Sequence, residues 1–210
     1  MKKNCFTEAM EFRHACKIFD ETKTITPEDI ETILETGRLS PSSFGMEPWK
    51  FLVITNQELK EKLRPLCWNQ VQITSCSHLV VILAAIERIK PQSGVPQKMF
   101  ARRNLPQEKI DAYIKLYGEF LAETFSSDEK TLAWSSKQCY IAAANMMNAA
   151  ASLGIDSCPI EGFEKEKVET LLGIDTKEYQ LSLILPFGYR LNPQPAKVRL
   201  DLKEIVEFLE

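Results

Sequence analysis

Apolar residues recur along this chain in two rhythms, and the changes of rhythm mark its elements. Ile30, Ile33 and Leu34 fall three and four apart, the spacing of one helix face, behind Thr26-Pro27-Glu28-Asp29. A threonine cap, a proline at the first helical position and two acids at the positive end of the dipole predict a helix start there. Its end is expected between Gly37 and Ser40, because Pro41 disfavours helical geometry in the residue before it. Trp49 to Ile54 reads as a strand. Asn56 caps a short helix reaching Arg64, and the Val-, Ile- and Leu-rich run from Leu79 to Ile86 reads as a buried strand.

Prolines at 91 and 96 and basic residues at 88, 90, 98, 102 and 103 make the stretch from Arg88 to Leu105 a surface excursion. Helical spacing then returns with Ile110, Tyr113, Ile114, Tyr117, Phe120 and Leu121, in a helix from Pro106 to Phe125. It either packs on the core or forms a lid over a site. The segment from Asp128 to Leu153 differs in kind, since Gln138 to Leu153 is almost free of charge on every face. A helix apolar all round is buried all round. A second subunit covering one side would achieve that burial; the alternative is a central helix in a monomer. Gly154 suits its C-terminal cap. A helix from Glu164 to Leu172, ending before Gly173, precedes a strand from Gln180 to Phe187, while Leu200 to Leu209 fits either strand or helix.

Bulk properties narrow the classes. A length of 210 residues suits one compact domain over the whole chain, 1–210. Lys plus Arg at 26 against Asp plus Glu at 29 gives a net charge of −3. With no long block of one sign, nucleic acid and anionic membrane are poor partners. The first residues carry charge without an apolar stretch behind them, and the run from Leu79 to Ile86 is too short for a bilayer, so a cytoplasmic protein is expected. Six cysteines without a C-x-x-C pair predict free thiols. His14-x-Cys16 and Cys76-x-His78 do not have usual zinc half-site spacing, so no metal is expected.

Candidate chemistry gathers at both ends. Arg13, His14 and Lys17 open the chain and Lys197 and Arg199 close it, with a Ser40-Pro41-Ser42-Ser43 loop and a Pro159-Ile160-Glu161-Gly162-Phe163 loop between. Two cationic clusters joined by small-residue loops are what a phosphate-bearing cofactor with a polar, planar ring requires. Arginine is preferred for phosphate because its planar fork gives paired hydrogen bonds. Lys17, four residues beyond Arg13, lies one turn along the same face if this stretch is helical. After Pro159 stops regular structure, Gly162 lets backbone come close to a ligand.

Over nearly the whole chain these residues fall in a familiar order: Arg13-His14-x-x-Lys17-x-Phe19, Leu39-Ser40-Pro41-Ser42-Ser43-x-x-x-x-Pro48-Trp49-x-Phe51, Asn69, Ser77-His78, Gly154-x-Asp156, Pro159 to Phe163, and Lys197-x-Arg199. The chain resembles the FMN-dependent nitroreductase family, most of all its small oxygen-insensitive NAD(P)H enzymes. The resemblance implies an α+β fold with a mixed, mainly antiparallel sheet flanked by helices and a long central helix at a homodimer interface. It implies that Arg13, Lys197 and Arg199 hold the FMN phosphate, that His14 adds a backbone contact, and that Lys17 sits at the flavin N1/O2 edge, where a cation favours reduction. Asn69 would bind the pyrimidine side, and backbone at Glu161 and Gly162, after Pro159, would serve N5 and O4. Pro41, Ser42 and Ser43 would come from the other subunit, and Gln138 would lie near the flavin.

The implied activity has two steps: NADH or NADPH delivers hydride to flavin N5, and a nitroaromatic, quinone or similar flat acceptor is then reduced in the place the nicotinamide leaves. No side chain need act as nucleophile or general base, so no catalytic residue is named. Gly45, Glu47 and Gln72 depart from the pattern, many relatives having Asn, Gln and, in some, a second lysine there. One cation in place of two should make the flavin harder to reduce. Cys158, beside the Pro159 loop, is either a buried inert thiol or a responsive one. Alternatives are a flavin-binding redox sensor or FMN carrier without turnover, and a same-fold dehydrogenase or dehalogenase. No ribose-recognition motif separates NADH from NADPH, although Arg102 and Arg103 could contact a 2′-phosphate.

Overall fold

In a computed structural model that describes residues 5–209, the strands β1 (Trp49–Ile54), β2 (His78–Ala85), β3 (Asp156–Ser157) and β4 (Tyr179–Gly188) form one antiparallel sheet in the order β1-β2-β4-β3. Leu52 pairs with Val81, and Val81 with Ile184, so β2 is enclosed by neighbours on both edges. Its alternate residues serve two cores, as a period of two demands. Leu79, Val81 and Leu83 point into a cluster with Phe19, Leu63 and Cys158, whereas Val80, Ile82 and Ala84 point into one with Ile33, Ala143 and Met146. That double burial explains the uninterrupted apolar run. The single parallel pairing among the described residues is an isolated bridge from Ala15 to Ser157.

Helices cover both faces: α1 (Cys5–Phe12), α2 (Pro27–Arg38), α3 (Gln57–Leu66), α4 (Gln72–Ser75), α5 (Val95–Ala101), α6 (Gln107–Phe120), α7 (Asp128–Ser152), α8 (Lys165–Leu171) and α9 (Leu202–Ile205). Caps expected from sequence are made. Thr26 accepts the Asp29 N–H at 3.1 Å, and Asn56 accepts that of Leu59 at 2.8 Å. Gly154 takes the left-handed conformation, φ 73°, that closes α7. Helix α2 crosses α7 at a close approach, where a Cβ added to Gly37 would lie 2.5 Å from the Met146 Cε.

Three readings change. The Arg13 to Lys17 stretch is not helical: α1 ends at Phe12, and the chain then runs extended, with Cys16 N–H donating to Ser157 O at 3.1 Å. Pairing with the sheet edge buries Cys16 and Phe19, which a helix would not align with it. The excursion after Arg88 is not merely surface loop, since it contains α5 and buries Phe100 completely. With Met46, Ile110, Tyr117 and Leu121, Phe100 builds a third apolar cluster, so α6 packs on a core of its own and leaves Tyr113 and Phe120 exposed. Finally, α7 is not buried all round within this chain, because Tyr140 and Ile141 are each 40 % exposed. The tail after Gly188 first pairs Arg190 with Phe19 in an isolated antiparallel bridge, then forms α9, capped reciprocally by Asp201 and Glu204, and leaves Phe208 and Leu209 exposed.

Candidate functional site

The extended segment after α1 lays three of the predicted residues along the β3 edge. Lys197, arriving from the far end of the sequence, donates through Nζ to the carbonyl oxygens of Met10 and Arg13 and so closes the C-terminal end of α1. Burial lowers the Lys197 pKa, and the positive charges of Arg13 and Arg199 lower it further. Three cations thus share one region, and the nearby Glu11 carboxylate opposes only part of their combined effect on Lys197, whose pKa stays lowered. Such a cluster repels itself, and a bound dianion relieves that repulsion.

His14 stands beside it over an ion pair whose carboxylate is buried and whose guanidinium is partly exposed. Arg190 donates through its backbone N–H and Nε to Asp156 Oδ2, at 2.9 Å each, and places NH2 2.7 Å from Oδ1. The guanidinium also lies 4.1 Å from the centre of the Phe12 ring. His14 Nδ1 is 3.5 Å from Asp156 Oδ1 but makes no hydrogen bond, and it is buried, as is the unpartnered Ser157 hydroxyl. Burial lowers the His14 pKa, the Arg190 charge adds to that, and Asp156 opposes both.

Lys17 points elsewhere, into a line of polar side chains leading to the Pro159 loop. Its Nζ donates to the Cys158 sulfur at 3.6 Å; Gln72 Nε2 approaches the same sulfur at 3.8 Å and donates to Gln70 Oε1 at 2.9 Å. Gln70 Nε2 in turn donates to Gly162 O at 2.9 Å. Lysine at one end and loop backbone at the other are thereby joined through a thiol and two neutral amides. Cys158 is fully buried, and burial raises its pKa although Lys17 pulls the other way. It is an inert thiol by environment. The other described cysteines are likewise buried and free.

Gly162 is required by close packing. A Cβ there would come within 2.6 Å of the Trp68 ring, which lies across the loop while remaining 70 % exposed. Trp68 and Asn69 both adopt positive φ, 54° and 57°, a conformation asparagine tolerates better than tryptophan. Asn69 is exposed on that turn, its carbonyl accepting from Arg64 Nε at 3.3 Å. Pro159 and Glu161 are exposed at the same loop, and Tyr140 donates its hydroxyl to Glu161 Oε1 at 2.6 Å.

Pro41, Ser42, Ser43 and Gln138 form a second group. Gln138 Oε1 accepts the Ser43 N–H at 2.9 Å, and Ser42 Oγ accepts the Glu47 N–H at 2.8 Å. Pro41 is exposed beside them. Glu47 holds Arg102 at 2.7 Å, while Arg103 donates to Phe44 O at 2.6 Å and lies over the Phe100 and Tyr113 rings. Both arginines that sequence offered for a 2′-phosphate are therefore engaged within the chain. Sequence reading missed Trp68 and Gln70, and it noted Asp156 without its partner Arg190. A bulky aromatic between two predicted elements was the available signal for Trp68; nothing local marks Arg190.

Comparison with known proteins adds the family. A family model described as the nitroreductase family matches residues 10–189. A Staphylococcus epidermidis protein classed by name with the NAD(P)H nitroreductases is 44% identical, across 97% of this chain and 96% of its own. Bacillus subtilis YfkO, classed by name in the same way, is 40% identical over 96% of each chain. Among solved structures, an Exiguobacterium sibiricum protein crystallised with FMN and titled a nitroreductase superposes with a TM-score of 0.83 at 25% identity, covering 100% of this chain and 99% of that one.

Proposed function

Because the chain belongs to the nitroreductase family, we propose that it is an FMN-dependent NAD(P)H oxidoreductase that reduces nitroaromatics, quinones or similar flat acceptors. The observation that carries this reading is the convergence of Arg13, Lys197 and Arg199 from opposite ends of the chain onto one self-repelling cationic region. That chemistry suits the FMN phosphate. The unpartnered His14 and Ser157 atoms beside it, and a glycine loop that admits no Cβ, suit a polar ligand pressed close to backbone.

FMN, when bound, supplies hydride acceptance from NADH or NADPH and donation to the acceptor. The chain's own residues bind and orient. Arg13, Lys197 and Arg199 hold the phosphate, with His14 adding backbone, and Lys17 brings positive charge to the flavin's N1/O2 edge. Asn69 takes the pyrimidine side; Pro159, Glu161 and Gly162 present loop backbone to N5 and O4. Pro41, Ser42 and Ser43 complete the pocket from a second subunit, in a homodimer built on the exposed face of α7, and Gln138 lies near the flavin. The whole chain, 1–210, serves as one FMN-binding domain acting in the cytoplasm. No helix among the described residues is long and apolar enough to cross a membrane.

A second reading, a flavin-binding sensor or carrier without turnover, draws on Gln72, a neutral amide where some relatives place a lysine. The burial of Cys158 weighs against that thiol as a responsive group. Anaerobic mixing of the FMN-loaded protein with NADH or NADPH separates the two. Rapid bleaching of the flavin supports the reductase; a colour that persists rejects it.

A further inference from the structure

At the end of α4 remote from Gln72, a polar cavity of about 430 Å³ opens between the residues before α2, the start of α3 and the start of β2. Lys60 lines it from α3 and is only 3 % exposed. Its Nζ donates to Cys76 O at 2.7 Å, the one partner it has among the described residues. That carbonyl lies at the C-terminal end of α4 and offers a partial negative charge to one of three N–H groups. A buried ammonium with no full counter-charge is unfavourable, so the position calls for an anion.

Neutral donors line the same cavity. Ser77 Oγ already accepts the Ile25 N–H at 2.9 Å and lies 2.9 Å from His78 Nδ1. In the tautomer in which Ser77 donates its hydroxyl proton to Nδ1, the imidazole hydrogen sits on Nε2, an atom without a partner among the described residues. Burial and the Lys60 charge lower the His78 pKa and keep the ring neutral. The hydroxyls of Thr24 and Thr55 line the cavity too and make no hydrogen bond among the described residues. Of the charged groups at the rim, Lys23 is paired with Asp20 at 3.1 Å, and Glu21 is the one carboxylate on the lining.

We propose that this cavity binds a phosphate-type oxyanion, either free phosphate or the phosphate end of a small phosphomonoester, with Lys60 as its counter-charge. An ammonium, an imidazole N–H and two hydroxyls offer more donors than the two oxygens of a carboxylate use well, whereas the oxygens of a phosphate accept them all. The site is separate from the Arg13, Lys197 and Arg199 region, and the proposal does not depend on the cofactor reading.

Calorimetric titration of the chain with orthophosphate, and separately with glycerol phosphate, in the presence of excess FMN, tests it. The expected result is one saturable site per chain, weakened tenfold or more by Lys60→Met, tightened by Glu21→Gln and unchanged by Arg13→Ala. Should Lys60→Met fail to fold, the exposed Glu21→Gln substitution still decides. Tighter binding of glycerol phosphate identifies an ester as the natural occupant, and equal or weaker binding identifies the free ion. Absence of saturable binding, binding indifferent to the Lys60 and Glu21 substitutions, or binding lost with Arg13→Ala overturns the proposal.

Discussion

Arg13 carries the sharpest expectation at the scale of single residues. Replacing it with alanine removes one charged donor set from the cationic region, and charge-assisted hydrogen bonds contribute about 1.5–3 kcal/mol each. FMN affinity, followed by flavin fluorescence, should therefore fall by roughly tenfold or more, and unchanged affinity would displace the phosphate from this position. Asp156→Ala leaves Arg190 without its carboxylate; since Arg190 is partly exposed, a loss of about 2 kcal/mol is expected in denaturant unfolding. Histidines give the pH dependence. His14 and His78 both have pKa values lowered in the fold, mainly by burial, so the unfolded chain binds their protons more readily. Their contribution is present above the unfolded value of about 6.5 and is lost as pH falls through the folded values. Stability should decline from pH 7 to 5, and less steeply in His14→Gln and in His78→Gln; equal slopes would discard this origin. Arg13, Lys197 and Gly162 were legible because their chemistry is carried by residue type. The Asp156–Arg190 pair was not, because its meaning lies in a contact 34 positions apart in sequence.

Among elements, legibility followed the strength of local signals. Caps at Thr26 and Asn56 and the apolar run of β2 set boundaries that tertiary packing had no reason to overrule. Whether the stretch from Arg13 to Lys17 is helical could not be decided locally, because its extended structure is set by pairing of Ala15 with Ser157, a partner far along the chain. Helix α5 was missed because prolines dominate the local pattern while Phe100 finds a buried place only once α6 is folded beside it. Where α2 meets α7, packing sets a sharp limit. Gly37 faces the Met146 side chain, so Gly37→Ala should be absorbed by movement of that flexible thioether, whereas Gly37→Leu should cost about 1–3 kcal/mol in chemical unfolding. Comparable midpoints for the two variants would show that the helices separate freely.

For the molecule as a whole, the exposed apolar residues point to association. Phe6, Leu39, Ile141 and Leu153 are exposed on or beside α1, α2 and α7, and the tail adds Leu202 and Phe208. Surfaces of this kind mark interaction sites. Ile141→Glu is expected to shift the proposed homodimer to monomer in sedimentation velocity and to reduce FMN retention with it; a monomeric wild-type chain that still retains FMN would detach the cofactor from association. Tyr140 stands next to that residue, on a face open to solvent in the single chain, yet its hydroxyl holds the loop carboxylate of Glu161. Burial, and then Glu161 itself, raise the phenol's pKa, so it remains a donor well into alkaline solution. A second subunit covering that flank, as the proposed homodimer requires, would also touch the side chain that steadies the loop, so that assembly and loop posture would be mechanically geared to one another.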